Sequence, residues 1–209
     1  IMKKSIFLAA LVLISAGCFA QKANVSKARS LADAETPDYA GARAAIAEAL
    51  QNDETKDLAN TWYVAGFIGY KEFYNGNMKQ QLGQQFDKKA WGDAVYESLN
   101  YWTKAYDMAK IPTIDKKGRE KFDTRTPKSI VPKVVEYFNS IPLIIAGFDA
   151  YQAGDPSKAY DMFIAHCNIP ESDMMKENPS EMAKIVCDSN YYIYLYQSGQ
   201  LAEAAERYD

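Results

Sequence analysis

Residues 142–166 read PLIIAGFDAYQAGDPSKAYDMFIAH, and the fold turns on how this stretch is parsed. Two apolar runs flank the break Gly154-Asp155-Pro156. In the first, Leu143, Ala146, Gly147, Ala150 and Tyr151 recur at three- and four-residue steps, which puts them on one helical face. In the second, Ala159, Met162, Phe163 and His166 do the same. Gly154 can take the left-handed backbone that ends a helix, and Pro156 suits the first turn of the next. The stretch therefore predicts a helical hairpin. Neither helix alone can bury its stripe, and a third neighbour is needed to finish the core.

The same periodicity extends in both directions. Asn24–Asp33 and Tyr39–Leu50 read as helices on either side of the turn Thr36-Pro37-Asp38. Lys56–Tyr74 follows, with Trp62, Ala65, Gly66, Gly69 and Tyr70 on one side. Its two internal glycines predict a close helix crossing, since each costs about 1 kcal/mol relative to alanine. Asn75-Gly76-Asn77 is expected to stop this helix, leaving the Gln-rich residues 78–86 as a loop. Asp87–Lys110 is long and amphipathic and ends before Pro112. Residues 113–126 are charged and broken by glycine, so they predict an exposed loop or short hairpin. The run Lys116-Lys117-Gly118-Arg119 within them is a solvated turn, because no strand-to-helix glycine pattern surrounds it. Helix resumes at Pro127 and should kink or split near Ser140, ahead of Pro142. Beyond the opening hairpin, residues 168–180 read as a loop and Glu181–Gln197 as a helix. Gly199 is expected to break it, with a further helix from Leu201 to Asp209.

The N-terminus has a different character. Lys3 and Lys4 precede an apolar run from Ile6 to Ile14 that is too short for a membrane span, and Cys18-Phe19-Ala20 ends in a small residue. Residues 2–20 read as a secretory signal peptide cleaved after Ala20. Ser15-Ala16-Gly17-Cys18 also resembles a lipobox, in which case Cys18 would carry the lipid. Either route exports the chain, to the periplasm or to the outer membrane as a lipoprotein. No later segment reaches 18 uninterrupted apolar residues. Cys167 and Cys187 lie near helix ends. Outside the cytoplasm they could form a disulfide or remain as thiols.

The hairpins can be superposed in register. From Gly147, Gly154 follows at seven, Ala159 at twelve and Phe163 at sixteen; from Tyr192, Gly199, Ala204 and Tyr208 stand at the same intervals. Trp62-Ala65-Gly66 supply a first-helix half, and Ser98, Trp102 and Ala105 a second. This pattern resembles the tetratricopeptide repeat, in which small residues sit where paired helices cross. It covers most of residues 24–209 in about four units, with insertions at 75–86, 111–126 and 168–180. It is also similar to secreted, irregular tetratricopeptide proteins of Bacteroidetes-type bacteria. The expected architecture is an all-α solenoid of helical hairpins over 24–209. The chain stops inside an unfinished hairpin without a polar cap, so a longer array is expected.

The chemistry is sparse. His166 is the single histidine, and a packed, hydrogen-bonded role suits it at a helix end. One histidine and two separated cysteines give no zinc-ligand spacing. No serine-hydrolase, zincin, Walker or dinucleotide motif is present. Paired carboxylates such as Asp53–Glu54 fall in polar turns. With a net charge of −3 and no Lys/Arg stripe, a nucleic-acid surface is not expected. No enzymatic activity, cofactor or metal is expected.

What the resemblance implies is a concave groove lined by the first helix of each hairpin, holding a peptide or partner protein. Its residues would be Asn60, Tyr63, Phe67, Tyr70 and Lys71 in one unit, then Ile144, Phe148, Tyr151 and Gln152. In the last unit they would be Ser189, Ile193, Tyr196 and Gln197. Two other readings remain open: an envelope lipoprotein that binds glycans or nutrients, and the helical accessory domain of a longer enzyme.

Overall fold

A computed structural model describes residues 22–115 and 117–207. The expected leader at 2–20 with Cys18 lies outside the described residues, as do Lys116, Tyr208 and Asp209. Among the described residues the chain forms ten helices and one two-stranded hairpin, so the all-α expectation holds. The helices are α1 (22–32), α2 (Tyr39–Gln51), α3 (Ala59–Gln81), α4 (Lys88–Ala109), α5 (Arg125–Ser140), α6 (Pro142–Gln152), α7 (Pro156–Cys167), α8 (Asp173–Lys176), α9 (Pro179–Met182) and α10 (Ser189–Ala204). Strands β1 (Thr113–Ile114) and β2 (Glu120–Lys121) pair antiparallel between α4 and α5.

Aspartates start several of these helices. Asp38 accepts from the Gly41 N–H at 2.8 Å, Asp87 from Ala90 at 2.9 Å, and Asp155 from Lys158 at 2.9 Å. Each satisfies an amide that has no partner inside its helix and places a negative charge at the positive end of the dipole. At the turn between α6 and α7, Gly154 has φ +85° and Pro156 opens the next helix, as the opening stretch predicts.

Helices α5 and α6 divide at Ile141, and their axes differ by 54°. Ile141 has φ +50°, rare for a β-branched residue. The ring of Pro142 disfavours helical backbone at the residue before it, and the half-buried Ile141 side chain packs beside Ile144 and Phe163.

Two glycine readings need correction. α3 does not stop at Asn75-Gly76-Asn77 but continues to Gln81, and it begins at Ala59 rather than Lys56. Gly76 is buried against the Trp91 indole, whose Nε1 donates to Asn77 Oδ1 at 2.8 Å. That tertiary contact offsets the poor helix propensity of the tripeptide. At the C-terminus, Gly199 lies inside α10 and does not break it, and Leu201 belongs to the same helix and is buried. The last unit therefore has no turn at Gly199. Of residues 181–188, only 181 and 182 are helical, at the end of α9.

α4 is the central element. It packs along α3 on one side and against α5 and α6 on the others. Its Trp102, Ala94, Val95 and Ala105 are fully buried, in one cluster with Ile130, Val134, Tyr137, Leu143 and Met162. A second cluster joins α1 and α2 to α3 through Ala28, Ala42, Ile46, Val64 and Ile68. A third joins α6, α7 and α10 through Ile144, Ala159, Phe163 and Leu201. Arg43 of α2 ties three helices together, its guanidinium 2.7 Å from Glu72 of α3 and 2.6 Å from Glu97 of α4.

Candidate partner-binding surface

The residues expected to line one groove separate into two groups. The α3 group is largely covered. Phe67 is buried, stacks on Tyr63 at 6.2 Å, and lies under the Arg29 guanidinium of α1 at 5.3 Å. Lys71 pairs with Asp33 at 2.7 Å, and its carbonyl accepts from the Tyr39 hydroxyl at 3.1 Å. α1 and α2 thus occupy the face that was to meet a partner. Tyr70 packs on Trp102 at 5.4 Å and carries the Lys133 ammonium over its ring. Asn60 is exposed, but it stands in the first turn of α3. There it borders a separate depression with Phe122, Asp123 and Arg125 beside the β-hairpin.

The α6 and α10 group is different. Ile144 is a correction: it is 1% exposed and belongs to the core with Ala159 and Phe163. The first helix of the hairpin turns that residue inward because Leu201 of α10 covers it. Phe148, Tyr151 and Gln152 remain open to solvent, as do Ser189, Ile193 and Tyr196 on α10. Phe148 meets Phe163 in a T-shaped contact at 5.0 Å and is still 41% exposed. Phe148, Tyr151 and Gln197 line one cleft of about 170 Å³ with Phe163, Gln200, Leu201 and Ala204. The Gln197 Oε1 atom is itself buried and has no hydrogen-bond partner. Gln200, Leu201 and Ala204 were not expected at this site, because a break at Gly199 would have carried them away from it.

His166 is packed. Its ring stacks on Phe138 at 4.6 Å and meets Tyr194 edge-on. The hydrogen bond expected for it is missing at Nδ1, which is buried and unpartnered. Burial pulls its pKa down to about 4, so the ring is neutral at pH 7. The two cysteines are free thiols rather than a disulfide: Cys167 is buried in α7, and Cys187 is exposed ahead of α10. Burial pushes the Cys167 thiol up to about 11, which makes it a poor nucleophile. Among the described residues no three His, Cys, Asp or Glu side chains gather where they could hold a metal ion. No single helix there is long and apolar enough to cross a membrane; the bent pair α5–α6 passes on length and composition, but most of its apolar side chains are in the core. Comparison with family models, with curated proteins and with solved structures found no match to this chain.

Proposed function

We propose that this chain is a non-catalytic scaffold of tetratricopeptide-like hairpins, exported to the bacterial envelope, that holds a peptide or partner protein against α6 and α10. The observation that carries the reading is the cleft of Phe148, Tyr151 and Gln197. Two open aromatic rings stand beside the side-chain amides of Gln197 and Gln200. Rings of this kind supply large contact area at small entropic cost, and the exposed Gln200 amide at their edge can pair with the backbone of an incoming chain. The helix crossings Gly66–Trp102 and Gly147–Phe163 support the repeat part of the reading. The test is capture from envelope extract with the wild-type chain and with Phe148→Ala/Tyr151→Ala, helicity being checked by circular dichroism. A partner retained by the first and lost by the second supports the proposal. Identical capture by both removes its basis.

A glycan-binding reading draws on a different place. At the end of α3 a cavity of about 330 Å³ is lined by Phe86 and Trp91 together with Asn77, Gln80, Gln81 and Asp149. Aromatic rings beside amides and a carboxylate suit the apolar face and hydroxyls of a sugar. Calorimetric titration with neutral oligosaccharides, repeated on Gln80→Ala/Gln81→Ala, separates this reading from the first. Fatty-acid labelling of wild type against Cys18→Ala decides the anchor.

A further inference from the structure

The cavity at the end of α3, with Phe86, Trp91 and the amides of Gln80 and Gln81, does not stop there. A second cavity of about 270 Å³ lies between α4, α6 and the start of α7. Lys88 of α4 and Asp149 of α6 line both, so the two are successive parts of one groove. It follows α6 from Pro142 to Ala153, a run of about 16 Å at the helical rise. Small residues meet in its far part, where α4 crosses α6: a Cβ on Gly92 would stand 2.8 Å from the Ala146 Cβ. The charges along the groove balance, with Lys88, Lys89 and Lys158 set against Asp93, Asp149 and Asp155. Asp93 is held by Lys89 at 3.0 Å and by Lys158, and Asp155 accepts from the Lys158 N–H. The two residues at the junction are different. Asp149 is half-buried, yet among the described residues neither its carboxylate nor the Lys88 ammonium has a hydrogen bond or an ion pair.

We infer that this groove takes a neutral oligosaccharide lengthwise, with one sugar against Phe86 and the amides and the next across Asp149 and Lys88. The inference rests on the glycan reading of the first cavity and extends it from one subsite to a chain of linked rings. A balanced lining exerts no net pull on a polyanion. An apolar ligand would strand the Asp149 carboxylate and the Lys88 ammonium away from water. Sugar hydroxyls meet both needs, because each one donates and accepts. They can donate to Asp149, which as a carboxylate only accepts, and accept from Lys88, which only donates. Phe86, half-buried and edge-on to Trp91 at 6.4 Å, offers its ring to the C–H face of the first sugar. Once that sugar is seated, each further ring meets the rest of the groove at high effective concentration, so affinity grows with chain length until the groove is full.

The test is calorimetric titration of the full chain with neutral gluco-, manno-, xylo- and galacto-oligosaccharides of increasing length, with uronic-acid oligomers as the charged control. Affinity should rise by about tenfold or more from disaccharide to tetrasaccharide in at least one neutral series. Ala153→Trp sets an indole in the far part of the groove from an exposed position after α6. It should cancel that rise while disaccharide binding stays, which also shows that the variant is folded. Asp149→Ala should weaken both lengths by about tenfold without lowering Tm, since the carboxylate has no partner in the protein to lose. A disaccharide that binds as tightly as the tetrasaccharide overturns the lengthwise groove and leaves the single-cavity glycan reading standing. So does a length gain that survives Ala153→Trp, or binding indifferent to Asp149→Ala. If no neutral sugar binds at any length, or only the uronic-acid oligomers do, both the inference and the glycan reading fall.

Discussion

The indole of Trp102 occupies the volume that a side chain at Gly66 would need. Trp102 has no solvent exposure, and its ring is held between Tyr70 at 5.4 Å and Tyr137 at 5.9 Å, so it has nowhere to retreat. Gly66→Ala should therefore destabilise the fold by about 1–3 kcal/mol despite alanine's better helix propensity. At Gly199 nothing stands within 4 Å of where a side chain would be, so only the propensity acts and Gly199→Ala should stabilise the fold by up to about 1 kcal/mol. Urea unfolding of the pair checks the contrast. If both substitutions move stability in the same direction, the Trp102 indole is not what requires a glycine at position 66.

This pair also explains what the sequence could and could not tell. The hairpin of α6 and α7 was legible because Gly154 stands between two apolar stripes, beside an aspartate cap and a proline, so local chemistry alone set the turn. Gly76 and Gly199 offered the same letter with no such neighbours. Whether a glycine ends a helix or accommodates a crossing depends on what lies opposite, and Trp91 is 15 residues away from Gly76 in the chain. The groove failed in part for a similar reason. Tyr63, Phe67 and Lys71 form one face of α3 in the sequence, but only the fold shows that Arg29, Asp33 and Tyr39 cover it. Ile144 was misread because the covering residue, Leu201, had been assigned to a separate helix.

His166 gives the protein an acid-sensitive core. Its pKa is about 4 in the folded chain and about 6.5 when unfolded, so the unfolded state takes up a proton first as pH falls. The stabilisation is complete above pH 6.5, declines through the interval down to pH 4, and is absent below it. The shift corresponds to roughly 3 kcal/mol. His166→Phe keeps a ring against Phe138 and removes the titration. Thermal melts between pH 7 and pH 4 should show the wild type losing more stability than this variant. Parallel curves would assign the acid sensitivity to the carboxylates instead.

Arg43 clamps α2 to α3 and α4 through Glu72 and Glu97. Burial disfavours its charge, but the two carboxylates outweigh that and hold the guanidinium firmly protonated. Its contacts to Glu97 come from both Nε, at 2.9 Å, and Nη2, at 2.6 Å, a fork that a lysine cannot reproduce. Arg43→Lys should cost about 1 kcal/mol and Arg43→Ala about 1–3 kcal/mol, with the side chain a third exposed. Hydrogen exchange should locate the loss in α1 and α2. An effect spread evenly over α5 to α7 would mean that Arg43 acts otherwise.

Tyr137 and Ser98 provide a coupling that can be measured without a ligand. Tyr137 is 1% exposed in the centre of the α4–α5 core, and its hydroxyl donates to Ser98 Oγ at 3.1 Å, an oxygen that is itself fully buried. Burial holds the phenol neutral far above its ordinary range, so the bond is between neutral groups. Tyr137→Phe leaves the Ser98 hydroxyl without its cross-helix partner and should cost about 1–2 kcal/mol. Ser98→Ala leaves the phenol unsatisfied in turn and should cost a similar amount. With both hydroxyls gone no buried group is stranded, so the double variant should lose less than the two single losses added together. The coupling read from that cycle should be about 1 kcal/mol. Strict additivity in urea unfolding would show that the two hydroxyls do not depend on each other, and that α4 and α5 are joined by apolar packing alone.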